Sequence, residues 1–304
     1  MLEVSHGHKI NFQTLGNPEG IPLVFLHGGP GGRYLENHKA FFNLNDWFVI
    51  FYDQRGCGNS LPFASVENNN TRLLVEDLNS LRKKLNIEKW VLFGGSWGST
   101  LALYYGILFP QHCMGFVLRG IFLGTKSEVN WFLSGMRKFY PEAHKKFLKS
   151  LNFNENALPN SSEILLRAKK LIFDSDPEIH LPAAEAWASY ESSCSTLEYS
   201  LRRLNGSNAL SLARIEIHYF LNNCFFKKNE ILNNVKNISK IDTYIIQGRH
   251  DVICPPSTAY KLNEKIEKSE IIISENSGHS AFEEGNLYSI KTALTNLLKK
   301  IKRK

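Results

Sequence analysis

The sequence lacks the features that would place the chain in an oxidising compartment or a membrane. Its 304 residues include only five cysteines, whose scattered positions form neither a disulfide framework nor a metal-ligand spacing. The first residues have no basic and apolar leader, and no uninterrupted apolar run approaches the length that spans a bilayer. From these absences we expect a cytoplasmic location and no membrane partner.

The positive charge of the chain also lacks the distribution that nucleic-acid binding requires. The formal net charge is +7, but five of the positive charges lie within residues 299–304, where they complement the carboxyl end of a terminal helix. No basic stripe interleaved with aromatic side chains occurs elsewhere. We therefore expect no nucleic-acid partner.

Apolar strand patterns alternate with helical patterns towards both ends of the chain, which predicts an α/β fold with a mostly parallel central sheet flanked by helices. Between residues 121 and 240 the strand patterns disappear, and helical patterns occur at 161–173, 182–192 and 210–221. This predicts a core made of residues 1–120 and 241–304, with residues 121–240 inserted as a helical cap over the sheet. The expected strands are 8–15, 22–27, 47–53, 89–94, 115–120, 242–248 and 270–274, and the expected core helices begin near Thr71, Trp97, Pro256 and Glu283.

One serine has the surroundings of a nucleophile. The apolar run 90–93 is followed by Gly-Gly-Ser-Trp-Gly at 94–98 and then by a helical pattern that begins at Ser99. A strand, Gly-x-Ser-x-Gly and a helix in this order are similar to the nucleophile elbow of the α/β-hydrolases. The glycines permit a tight turn from which the Ser96 hydroxyl projects at the amino end of the helix.

An acid and a base follow this serine in the order that such a fold requires. Asp251 comes after the apolar strand 242–248, and His279 comes after the short strand 270–274. The carboxyl ends of parallel strands are where an open sheet collects its site. We expect Asp251 to hold the imidazole of His279, which takes the proton of Ser96 and returns it to the leaving group.

A glycine-rich loop after the strand 22–27 supplies a candidate oxyanion hole. Residues 27–32 read His-Gly-Gly-Pro-Gly-Gly, and acyl transfer needs backbone N–H groups aimed at the developing oxyanion. We expect the two donors to be the N–H groups of Gly29 and Trp97. A phosphate-binding loop would need Lys followed by Ser or Thr after its last glycine, whereas this loop continues with Arg33 and Tyr34.

Taken together, several motifs resemble the proline iminopeptidases, α/β-hydrolases that release an N-terminal proline from peptides. The resemblance covers most of the chain, and the segment Ala-Arg-Ile-Glu-Ile-His-Tyr-Phe is the motif most specific to this family. The matching segments are 27–32, Asp-Gln-Arg-Gly-Cys-Gly-Asn-Ser at 53–60, 94–99, 118–122, 213–220, 248–256 and 278–280.

The resemblance implies roles for residues that the patterns alone do not single out. It implies that Ser96, Asp251 and His279 form the triad, and that peptides with a free N-terminal proline are the substrates, with no cofactor or metal. It also implies that Glu216 and Glu191 bind the substrate amine, that Phe122 lines the proline pocket and that Arg119 lies near it. The family often has Trp-Phe-Tyr-Gln where residues 131–134 read Trp-Phe-Leu-Ser, so a pocket tyrosine is missing or displaced.

Alternative interpretations remain open at this stage. Glu216 could form a structural ion pair with Arg214, and Glu191 could be a solvated helix residue. The same triad serves esterases and amidases with other acyl pockets. Epoxide hydrolases and dehalogenases are disfavoured because they have Asp at the elbow, and a non-catalytic hydrolase-fold binding protein is disfavoured because such proteins usually lose a triad member. Cys254 follows Asp251 closely enough to lie near the site.

Overall fold

The computed structural model describes residues 1–154, 156–199 and 206–303 and has a seven-stranded central sheet. A short pair of strands, β1 (Leu2–Glu3) and β2 (Lys9–Ile10), precedes it, and its own strands are β3 (Phe12–Gly16), β4 (Ile21–Leu26), β5 (Trp47–Tyr52), β6 (Trp90–Ser96), β7 (Cys113–Ile121), β8 (Thr243–Gly248) and β9 (Ser269–Ser274). The strand order in the sheet is β3-β5-β4-β6-β7-β8-β9, and neighbouring strands are parallel except for β3 and β5, which pair in antiparallel fashion at one edge.

The central strands are apolar along both faces because helices cover the sheet on both sides. Alternate residues of β4 belong to different clusters: Val24 and Leu26 pack with one core, and Leu23 and Phe25 with the other. The first core includes side chains of α1 (Thr71–Lys84), α2 (Trp97–Leu108) and α9 (Pro256–Asn263). The second includes side chains of α10 (Glu284–Lys302). The predicted α/β architecture is confirmed.

The chain between β7 and β8 consists of helices joined by loops and has no strand among the residues that the structure describes. Its helices are α3 (Lys126–Asn130), α4 (Pro141–Ser150), α5 (Ser161–Ile172), α6 (Pro177–Ser193), α7 (Ser207–Leu221) and α8 (Glu230–Asn234). Helix α6 packs against α4, α5 and α7, so it lies at the centre of the inserted segment.

The structure corrects several predicted boundaries. The strand predicted at 8–15 is broken at Asn11, whose N–H donates to the Ser60 Oγ instead of to the neighbouring strand. Helix α6 begins at Pro177, not at residue 182, because the Asp176 side chain caps the Glu178 N–H. Helix α7 begins at residue 207, not 210, and the short helices α3, α4 and α8 were not predicted.

Across the residues that the structure describes, no helix combines the length and the apolar character needed to cross a membrane.

Candidate active site

Ser96 lies at the junction of β6 and α2 in a backbone conformation that a non-glycine residue rarely adopts, with φ +54° and ψ −128°. The flanking glycines permit this turn. A Cβ added to Gly98 would lie 2.1 Å from the Leu26 carbonyl oxygen, and one added to Gly94 would lie 2.2 Å from the Gly98 carbonyl oxygen. The elbow predicted from the motif therefore has the close backbone contacts that only glycine allows.

Asp251 and His279 form a buried hydrogen-bonded pair. The Asp251 Oδ2 lies 2.8 Å from the His279 Nδ1, and it also accepts from the Gln247 side-chain amide at 3.2 Å. The Asp251 Oδ1 accepts from the Cys254 N–H at 2.8 Å. Since the carboxylate only accepts, it holds the imidazole proton on Nδ1 and leaves Nε2 free to act as a base.

A bulge in β7 brings this pair to the strand that carries Ser96. Arg119 pairs with Gly95 and Ile121 pairs with Ser96, so Gly120 is the extra residue between them. Gly120 has φ +56°, and a Cβ added to it would lie 3.1 Å from the His279 Cε1 and 3.2 Å from the Asp251 Oδ2. The absence of a side chain at residue 120 thus leaves the space that the acid–base pair fills.

Three side chains hold the loop that carries His279. Arg119 donates through Nη1 to the His279 carbonyl, and the Asn286 amide donates to the carbonyls on either side, of Gly278 and Ser280. The Glu283 carboxylate accepts from the Gly278 N–H at 2.8 Å. Sequence reasoning missed Asn286 and Glu283, since nothing in their local pattern distinguishes them from ordinary residues at the start of a helix.

Glu283 also connects this loop to the inserted helical segment. Its second carboxylate oxygen accepts from the Leu197 N–H at 2.7 Å, just beyond α6. The Ser280 N–H donates to the Ser195 carbonyl at 2.7 Å. The segment that follows α6 is therefore hydrogen-bonded directly to the loop of the candidate base.

The two predicted oxyanion donors lie on segments that a buried glutamine joins. Gln54 accepts from the Trp97 indole N–H at 2.9 Å, and its side-chain amide donates to the His27 carbonyl at 3.0 Å. The loop that continues from His27 passes close to Ser96, since a Cβ added to Gly28 would lie 3.6 Å from the Ser96 Cβ. Gln54 belongs to the motif at 53–60, but its bracing role was not predicted.

A cavity beside Ser96 brings together residues of the core and of the inserted helices. Gly29, Phe122, Glu191 and Glu216 line it with Ser96, so it contains the predicted nucleophile, one predicted oxyanion donor and three of the four predicted substrate-binding residues. We call it the Ser96 cavity. Its other walls are Glu128, Val129, Phe132, Phe220, Ile253 and Cys254.

Two of the carboxylates in this cavity have no cationic partner among the described residues. Glu216 is 2% exposed, and its Oε2 accepts from the Trp187 indole N–H at 2.5 Å. Glu191 has a buried Oε2 that no hydrogen-bond donor in the described part of the chain reaches. The structural Arg214–Glu216 pair is not formed, because Arg214 donates to the Ile172 carbonyl and stacks on Phe173.

Burial changes the acidity of both glutamates. It raises the pKa of Glu191 from 4.5 to about 7. Burial also raises the pKa of Glu216 well above its ordinary value, and the neighbouring Glu191 charge adds to that rise. Uncompensated buried carboxylates are costly, so a cation entering the cavity would be strongly stabilised. Glu128, by contrast, is already satisfied by the Leu123 and Thr125 N–H groups and the Thr125 hydroxyl.

Of the remaining predicted residues, Phe122 and Cys254 line the Ser96 cavity and Arg119 does not. Phe122 contacts Phe220 edge-on at 6.3 Å between ring centroids, and Phe132 adds a third ring at 6.0 Å from Phe220. Cys254 lines the same cavity, and burial raises the pKa of its thiol well above the ordinary value, so the thiol is neutral. Arg119 lines an adjoining cleft beneath His279.

Within the described ranges, no three His, Cys, Asp or Glu side chains are grouped so that they could hold a metal ion.

The raised pKa of Glu191 makes the stability of the free protein depend on pH. The native state keeps the Glu191 proton up to about pH 7, whereas the unfolded chain loses it near 4.5, so the contribution to stability is present below 4.5 and is lost as the pH rises through 7. We expect Glu191→Gln to remove this loss. The Tm of the variant minus that of the wild type should therefore be several degrees larger at pH 8 than at pH 4.

Thermal unfolding at the two pH values measures this difference. Titrating groups that do not interact with Glu191 cancel between variant and wild type, and Glu216 adds to the gain because it loses the neighbouring charge that raises its pKa. Glu178→Gln, on an exposed residue of the same helix, is the matched control and should show no pH-dependent gain. If the Tm difference between Glu191→Gln and the wild type is the same at pH 4 and pH 8, the pKa of Glu191 is not raised in the native state.

Comparison with known proteins gives the relatives of this chain. The family model of the alpha/beta hydrolase fold matches residues 21–286. The probable proline iminopeptidase of Leptolyngbya boryana is 40% identical over 95% of this chain and 91% of its own length. The proline iminopeptidase of Arabidopsis thaliana is 41% identical over 93% of this chain and 75% of its own. The crystal structure of the Mycobacterium smegmatis proline iminopeptidase shares the fold, with a TM-score of 0.63 at 17% identity over 97% of this chain and 96% of that one.

Proposed function

Since the chain belongs to the proline iminopeptidase family of α/β-hydrolases, we propose that it releases N-terminal proline from peptides through an acyl-enzyme formed on Ser96. The observation that carries the proposal is a pair of glutamates that line the same cavity as this serine, the buried Glu216 and the half-buried Glu191, whose Oε2 is fully buried. A general esterase has no need of two desolvated carboxylates at its acyl pocket, whereas an aminopeptidase must recognise a cationic amine there.

The geometry supports a triad mechanism with the following steps. His279 removes the Ser96 proton at Nε2 while Asp251 holds Nδ1 and stabilises the imidazolium. The serine oxygen bonds to the carbonyl carbon of the N-terminal residue, and the N–H groups of Gly29 and Trp97 bind the oxyanion. The C–N bond then breaks as His279 gives its proton to the leaving amine, and a water molecule releases the acyl group by the same steps.

Glu191 and Glu216 confine the reaction to the first residue of a peptide. They lie on different helices of the insertion, α6 and α7, which pack against each other and bring the two carboxylates to one cavity. A protonated N-terminal amine would form charge-assisted hydrogen bonds with them and would compensate their burial. The rings of Phe122, Phe132 and Phe220 offer an apolar wall to the prolyl ring.

The division of labour between the two parts of the chain belongs to the proposal. Residues 1–120 and 241–304 carry the triad and the oxyanion donors, and residues 121–240 act as a cap that supplies amine recognition. A cytoplasmic location is also proposed, and it is supported by five buried cysteines that are all free thiols.

Blocking the substrate amine tests the proposal. An N-terminal amine has an ordinary pKa of about 7.7 to 8.0, so much of it is cationic at neutral pH. Acetylation removes this charge and adds bulk where the glutamates close the cavity. We expect prolinamide to be hydrolysed and N-acetylprolinamide to react at least about 100-fold more slowly by kcat/KM, which corresponds to about 2.7 kcal/mol of lost amine recognition.

Both amides can be followed by the ammonia that they release. The neutral ester p-nitrophenyl acetate reports the integrity of the triad in the same preparation. Equal rates with the free and the acetylated amide would refute an exopeptidase and favour an esterase or amidase of the same fold.

A further inference from the structure

A second cavity, larger than the Ser96 cavity, adjoins the catalytic centre and has no role in the mechanism above. Its volume is about 500 Å³, within the range of small-molecule sites. It is lined by Gly28, Gly95 and Ser280, which are the sequence neighbours of Gly29, Ser96 and His279, respectively. Glu191 lines both this cavity and the Ser96 cavity. We call it the aromatic cleft because Phe25, Phe41, Phe93 and Phe282 form much of its wall.

We propose that the aromatic cleft binds the second residue of the peptide substrate and selects for a large apolar or aromatic side chain there. This inference rests on the proposed function and extends it from the residue that is released to the part of the peptide that leaves.

The position of His279 determines on which side the leaving group lies. Its Nδ1 is bound to Asp251, so the proton that goes to the leaving amine comes from Nε2, on the side of the ring away from Asp251. A third cavity, lined by Asp251 and Val252, lies on the Asp251 side, whereas the aromatic cleft is lined by Ser280 and by the oxyanion loop. Of these two cavities, the cleft is therefore the one into which the protonated amine departs.

The chemistry of the cleft favours an apolar side chain. Phe41 stacks on Phe282 at 5.1 Å between ring centroids, and His38 lies 5.4 Å from Phe282 and 5.6 Å from Phe41, so the three rings form one cluster. Burial lowers the pKa of His38 to about 4, so this ring is neutral at physiological pH. Phe282 is 39% exposed and Leu35 is 41% exposed, so both can still bury apolar surface against a ligand.

Two dipeptide amides that differ only in the second side chain test the inference. We expect the wild type to prefer Pro-Phe-NH2 to Pro-Gly-NH2 by about 10- to 100-fold in kcat/KM, the discrimination available to an apolar pocket. Phe282→Ala and Leu35→Ala should each lower this ratio about 5- to 10-fold. Because the ratio is taken within one variant, damage to the triad or partial misfolding cancels from it.

Phe139→Ala is the matched control, because Phe139 is an exposed phenylalanine that lines the cavity on the Asp251 side. An unchanged ratio in this variant together with lowered ratios in the other two supports the inference. A wild-type ratio near one overturns it. A ratio that falls only in Phe139→Ala, or that stays unchanged in both Phe282→Ala and Leu35→Ala, also overturns it. Prolinamide has no second residue, so its hydrolysis tests the proposed function separately, and the inference fails with that function if prolinamide is not cleaved.

Discussion

Replacing Ser96 by alanine should lower the turnover of prolinamide by about six orders of magnitude, the loss that follows removal of a triad serine. Without the Ser96 oxygen no acyl-enzyme forms, and only substrate binding and the oxyanion donors of Gly29 and Trp97 remain to favour attack by water. Ammonia release by freshly purified variant, compared with the buffer rate, measures the loss.

The matched control is Ser80→Ala, which removes an exposed hydroxyl on α1 that donates to the Glu76 carbonyl of the same helix. It should keep full activity and a wild-type Tm. Prolinamide hydrolysis within 100-fold of the wild type by Ser96→Ala, free of wild-type contamination, would show that the elbow serine is not the nucleophile.

Replacing Glu216 by glutamine should lower kcat/KM for prolinamide about 100-fold, while hydrolysis of p-nitrophenyl acetate changes less than about threefold. Removing one partner of a buried charged hydrogen bond costs about 2–5 kcal/mol, and the ester has no amine to lose. The glutamine keeps an oxygen that can accept from the Trp187 indole, so the packing between α6 and α7 is conserved. Steady-state kinetics on both substrates separate recognition from chemistry.

Glu178→Gln removes an exposed carboxylate from α6 and controls for a general effect of lost negative charge. It should leave both substrates unaffected. Equal losses on the amide and on the ester in Glu216→Gln would mean that Glu216 supports the fold or the triad instead of binding the amine.

Local patterns were sufficient for most of the central strands and for the turn at Ser96. Continuous apolar runs between turn residues identified β4, β5, β6 and β8, because strands covered on both faces need apolar side chains at every position. The glycines around Ser96 indicated the elbow for a similarly local reason, since only glycine tolerates the contacts of residues 94 and 98 with neighbouring carbonyls. Local patterns did not give the start of α6. Both Pro177 and Pro182 are suitable first residues of a helix, and the cap formed by the Asp176 side chain places the start at Pro177.

Long-range contacts decided the rest of the site. The order of Ser96, Asp251 and His279 in the chain predicted a triad, but the space for the acid–base pair comes from the bulge at Gly120, which depends on the pairing of two strands. The bracing of the His279 loop by Glu283 joins segments far apart in sequence, and no local periodicity records such a contact.

Glu191 and Glu216 show most clearly what the sequence determined and what only the tertiary structure decided. The sequence by itself determined that Glu191 and Glu216 lie on helices, and the family resemblance implied that they bind an amine. Only the packing of α6 against α7 decided that both carboxylates face one cavity with Ser96 and that Arg214 turns away from it. Desolvation, which raises the pKa of both groups, depends on every segment packed around them, and that quantity exists only in the folded chain.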